Sequence, residues 1–171
     1  MSIIYLAGTP LKPQGGSDHK AILHICGNAG TWDGALAAAI AAHYPNIPEV
    51  YQRMVQLDGR LGRTYLIPAV GQPSTWVALL VARQDLGVAV VGRVRYWAIE
   101  SALNQLADFL HPDTTLHIMR PEPDEGVEWR RLEDLLFKCV STPRRFTVYA
   151  YWPEQQKEVS CDSPRTNQAT H

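Results

Sequence analysis

Two short stretches, "IIYLA" at residues 3–7 and "AILHIC" at 21–26, carry almost no polar side chain, and each ends abruptly at glycine. Successive side chains of a strand point to opposite sides, so an apolar run without alternation has to be covered on both faces. Neither face can be left to water. Strands of this kind sit in a sheet with helices packed above and below it, and the rest of the chain has to supply those helices.

The remaining segments do so in alternation. Residues 34–44 are mostly alanine, a strong helix former; Asp33 just before them is placed to cap the first turn, and Pro45 ends it. "IPEVYQRMVQLDGRLG" predicts a second short helix, and residues 63–70 and 76–83 read as two strands joined by the turn "GQPST". Between 93 and 110, Trp97, Ala98, Ala102, Leu103, Leu106 and Leu110 recur at the spacing of one helical face. Residues 115–119 predict a strand, 129–140 an amphipathic helix, and "RFTVYAYW" the last strand. "TPLKPQGGSDHK" between the first two strands has the composition of a surface loop. The expected architecture is α/β, a three-layer α/β/α sandwich with a mixed central sheet. It occupies residues 1–152, and the polar segment 153–171 reads as a disordered tail.

Composition narrows the function classes. Sixteen Lys and Arg against seventeen Asp and Glu leave no surplus of positive charge for a nucleic-acid backbone or an anionic membrane. Cys26, Cys139 and Cys161 are far apart and form no CxxC pair, which argues against a zinc knuckle or a disulfide framework. The chain shows neither a signal peptide nor an apolar run of membrane-spanning length, so a cytoplasmic protein without a metal or cofactor is expected.

In such a sheet the ligand crevice lies beyond the carboxyl ends of the central strands, where loops lead into helix amino termini. "HICGNAGTWDGALAAAIAAHYP" at residues 24–45 is one of these junctions. With "IIYLAGT", "WVALLVARQ", "VRYWAIESALNQLA" and a closing "FTVYAYW" in the same order, the chain resembles the macrodomain family. The likeness is to the branch of terminal ADP-ribose glycohydrolases and their bacterial relatives. The resemblance implies an α/β/α fold that binds ADP-ribose, free or on a macromolecule, in a cleft, and in many members hydrolyses its linkage.

Carried over position by position, the resemblance places Gly8 on the glycine of a Gly-Asp pair and Thr9 on its adenine-recognising aspartate. Gly27 falls on the asparagine that touches the distal ribose, unless Asn28 takes that place. The Gly-x-Gly that follows the tryptophan Trp32 falls on Asp33, Gly34 and Ala35, and the second phosphate loop becomes "MRPEPDEGVEW", in which Gly126 remains. The candidate ligand-binding set is therefore Gly8, Thr9, Gly27, Asn28, Gly30, Trp32, Gly34, Arg120 and Gly126; Asn28, Asp33 and Asp124, with Glu125 as an alternative, are the candidate catalytic groups.

Phosphates are held on backbone amides at glycine-rich loops and helix amino termini. Asp33 as a cap would occupy those amides, and Glu122, Asp124 and Glu125 add negative charge on the facing loop. One carboxylate about 4 Å from a phosphate oxygen costs roughly 4 kcal/mol at an effective dielectric near 20. Arg120 and Arg95 are candidate partners for these acids. His24 reads either as a satisfied core histidine or as a proton carrier facing the cleft, and Trp32 either stacks on a ligand or covers the helix end. Since arginine does not deprotonate, Arg93 and Arg95 cannot replace a nucleophilic lysine. Three readings follow: an ADP-ribosyl hydrolase, a reader of ADP-ribose or a related nucleotide, and a degenerate fold that acts as a non-catalytic interaction module. Recognition of the nucleotide is the working expectation.

Overall fold

The computed structural model describes residues 3–87, 93–122, 125–141 and 146–153. Its elements are β1 (Ile3–Ala7), β2 (Lys20–Gly27), α1 (Ala35–His43), α2 (Ile47–Leu57), β3 (Thr64–Pro68), β4 (Thr75–Arg83), α3 (Tyr96–Phe109), β5 (Thr115–Met119), α4 (Trp129–Ser141) and β6 (Thr147–Trp152). Hydrogen bonds join the strands in the order β1-β6-β5-β2-β4-β3. Only the β3–β4 hairpin is antiparallel; the other neighbours in this sheet run parallel.

The apolar runs bury both faces through the two-residue period of a strand. From β2 and β4, Ala21, Leu23, Ala78, Leu80 and Ala82 meet α3 and α4 at Ala98, Ala102, Leu106, Leu132 and Leu136. Their alternates Ile22, Cys26, Val77, Leu79 and Val81 meet α1 and α2 at Ile40, Ile47, Tyr51 and Val55. This is the expected three-layer arrangement with a mixed sheet. Among the described residues no helix is long and apolar enough to cross a membrane.

Three expectations are corrected. β1 is an edge strand, not one covered on both faces, and Tyr5 on it is 43% exposed. The helix expected from residue 93 begins at Tyr96, because residues 93–95 bond to the end of β4: Gln84 N–H donates to the Arg93 carbonyl at 2.7 Å and Arg95 N–H to that of Ala82 at 2.8 Å. Trp97, counted on the apolar face of this helix, is 59% exposed, whereas Ala98, Ala102, Leu103, Leu106 and Leu110 are buried.

Nor is the segment 8–19 simply a surface loop. It lies across β5 and β6, where the Gln14 N–H donates to the Tyr151 hydroxyl at 2.8 Å. Gly16, at φ 80°, passes so close that a Cβ would lie 2.6 Å from Thr115 Oγ1. The expected tail lies outside the described residues, apart from Pro153.

Candidate functional site

Strands β2, β4, β5 and β6 point the same way, so their carboxyl ends share one edge of the sheet. From central β2 the chain goes first toward β4 and later returns to build β5 on the opposite side; at such a switch the loops diverge and leave a crevice. A cleft of about 480 Å³ opens there, lined by His24 and Ile25 of β2, Asp33, Gly34, Leu36 and Ala37 at the start of α1, Arg83 of β4, Met119 of β5, and Glu125 and Gly126. A larger groove of about 1210 Å³ adjoins it, sharing Val94, Pro121, Gly126 and Val127 and bordered by Arg95, Trp97, Arg120, Trp129 and Trp152.

Arg83 organises the cleft. Its Nε donates to both oxygens of Asp85 at 2.8 and 2.9 Å, and its Nη2 donates to Asp33 Oδ1 at 2.9 Å. Partial burial opposes the charge, yet the carboxylates of Asp85 and then Asp33 hold the guanidinium pKa above its ordinary value. The Asp85 side chain is only 7% exposed and has a second, longer ion pair to Arg93 at 3.8 Å. Gly27 makes room for it: a Cβ there would lie 1.8 Å from Asp85 Oδ2. A shift in pairing between Cys26 and Gly27 sets Gly27 opposite Arg83.

Asp33 does not cap α1, contrary to expectation. The cap position is Gly34, at φ 101° and ψ 163°, and among the described residues no side chain caps the first turn. Asp33 turns to Arg83, since an ion pair with a guanidinium outcompetes a bond to a neutral amide. Among the described residues the first-turn amides thus keep no side-chain acceptor, and Gly34, Leu36 and Ala37 of this turn line the cleft beside Arg83.

His24 sits in the cleft wall, its ring centroid 5.1 Å from that of Trp32. Desolvation, reinforced by Arg83 and opposed by Asp33, lowers its pKa to about 4, so the imidazole is neutral at pH 7. Trp32 packs between His24 and Tyr51 and donates Nε1–H to the Ala37 carbonyl at 2.7 Å, which makes it a cover over the start of α1.

The other candidates are dispersed. Asn28 Oδ1 accepts from Asp85 N–H at 2.9 Å and its Nδ2 donates to Gln84, so the side chain clamps the loop after β4. With Gly30 it lines a separate depression against α2. Gly8 N–H donates to the Trp152 carbonyl at 2.9 Å, and Thr9 Oγ1 accepts from Leu11 N–H at 3.2 Å, which puts both at the end of β1 beside β6. Arg120 lies over the Trp152 ring, 3.7 Å from its centroid. Glu125 accepts from Glu122 N–H at 2.9 Å within its own loop. Asp124 lies outside the described residues. The structure therefore brings Asp33, Gly34, Glu125 and Gly126 to the cleft with Arg83 and His24. Arg83 and Asp85 were missed; their signal was "ARQD", charges placed directly at the end of a buried strand.

No protein-family model matches the chain, and no curated protein matches it significantly. Solved structures do. A protein of unknown function from Bacteroides thetaiotaomicron is 22% identical, with 89% of this chain and 98% of that chain covered and a TM-score of 0.79. A macrodomain protein from Streptomyces coelicolor is 25% identical, with 88% and 98% covered and a TM-score of 0.71. Thermosipho africanus DarTG, solved in complex with ADP-ribose, is 17% identical over 82% of this chain and 40% of that one, with a TM-score of 0.62. These likenesses do not single out the glycohydrolase-like branch.

Proposed function

We propose, from the premise that this chain has the macrodomain fold, that it recognises ADP-ribose or a related nucleotide metabolite, free or attached to a macromolecule. The observation that carries the reading is the meeting of the Arg83 guanidinium and the uncapped start of α1 in one cleft at the strand ends. A guanidinium matches phosphate geometry, and helix-start amides favour an anion, so the two together suit a diphosphate. A volume of about 480 Å³ is in the range of small-molecule sites. The adjoining groove, with Trp97, Trp129 and Trp152 on its walls, offers flat apolar surface for a base.

Recognition rather than turnover is what the geometry supports best. Directing a water at the distal ribose needs a carboxylate or amide free to hold it. Asn28 is engaged by Gln84 and Asp85, and Glu125 accepts from Glu122 N–H within its own loop. Calorimetric titration with ADP-ribose tests the reading. A dissociation constant below about 100 μM, or roughly 5.5 kcal/mol, is expected; no heat with ADP-ribose or ADP overturns it.

A further inference from the structure

The two carboxylates on Arg83 are unequal. Asp85 holds Nε, is 7% exposed, and has its own backbone N–H fixed by Asn28. Asp33 holds Nη2, is 61% exposed, and belongs to the turn between Gly30 and Gly34, both at positive φ. One is built into the β4 loop; the other reaches across from the start of α1, fifty residues away in sequence. A guanidinium pinned at Nε keeps its orientation when a partner at Nη2 is exchanged.

We infer that Asp33 is an internal anion occupying the phosphate-binding guanidinium of Arg83, and that a phosphate ligand binds by displacing it. The inference rests on the nucleotide reading above and adds the residue that sets its affinity. With Asp33 in place, Arg83 is shared between two carboxylates, and a phosphate meets a guanidinium already neutralised. With Asp33 turned away, the phosphate takes Nη2 and the amides of the first turn of α1 together. Asp33 is therefore a brake on affinity. A cap, a ribose contact or a catalytic base at this position would make the opposite prediction, that its loss weakens the site.

The experiment is calorimetric titration of wild type, D33N, and D33N combined with R83Q or with R83K, against ADP-ribose and inorganic pyrophosphate. D33N is expected to bind both probes about tenfold tighter than wild type, a gain abolished by R83Q and reduced by R83K, which keeps the charge without the planar fork. Unchanged or weaker binding by D33N overturns the inference, as does a gain that persists with R83Q. If R83Q fails to fold because Asp85 loses its partner, the R83K arm decides alone. The two readings separate cleanly. Equal ADP-ribose affinity in wild type and D33N keeps the nucleotide reading and removes this one. Wild type and D33N both silent to ADP-ribose, with pyrophosphate bound tighter by D33N through Arg83, does the reverse. Neither probe bound by wild type or by D33N removes both.

Discussion

At Gly27 a missing side chain does structural work for a residue fifty-eight positions on. The Asp85 carboxylate lies where a Cβ would be, 1.8 Å from it, and Tyr51 donates its hydroxyl to the Gly27 carbonyl at 2.6 Å, so neither Asp85 nor the strand end is free to yield. Gly27→Ala must push Asp85 off Arg83 or bend the end of β2. Overpacking of this kind costs about 1–3 kcal/mol. The expected outcome is a lower urea midpoint together with weaker ADP-ribose binding, read on the same sample; an unchanged midpoint would show that the loop after β4 adapts. In sequence this glycine looked like a lost ribose contact. Its reason was not legible there, because the pairing shift that sets it opposite Arg83 is a property of the assembled sheet.

At the scale of elements, strands and helices were legible wherever one period dominated. Unalternated runs gave β2 and β4, and the recurrence of Ala98, Ala102, Leu103 and Leu106 gave α3. What failed were choices made by distant partners. Asp33 has the local pattern of a cap, but Arg83 at the far end of β4 offers a charged donor. Trp97 fits an apolar stripe, yet it stands at the edge of the groove and is 59% exposed. The two sides of α3 should therefore answer differently to truncation. Leu103→Ala, at 1% exposure, is expected to cost about 2–5 kcal/mol through transfer and cavity. Trp97→Ala should stay within about 0.5 kcal/mol. Urea unfolding of both variants checks this, and a large loss in W97A would mean that the indole is covered in solution.

For the whole molecule, part of the sheet at β5 and β6 is covered by the segment 8–19 rather than by a helix, and a histidine is buried beneath it. His117 is fully buried; its Nδ1 lies 2.8 Å from the hydroxyl of Tyr151, which accepts from Gln14 N–H, and its Nε2 lies 2.9 Å from Thr115 Oγ1. Desolvation, and then the nearby Lys20, lower its pKa to about 4, the same direction and size as for His24 in the cleft. A histidine depressed in the fold binds its proton more readily when unfolded, so between about pH 6.5 and 4 the unfolded state takes up more protons and stability falls as pH falls. For His117 the loss is about 3 kcal/mol near pH 4, and His24, shifted as far, adds a comparable part. Asp58 does not confuse this window, because Arg60 holds its carboxyl at about 2 and its contribution is kept above the ordinary value of 3.8 and lost below it. The urea midpoint should therefore be level from pH 8 to 7 and decline steadily below 6.5. His117→Gln, which cannot titrate, should remove about half of that slope and leave the part owed to His24. A midpoint that stays level down to pH 4.5 would mean that water reaches both rings and that segment 8–19 does not seal the sheet.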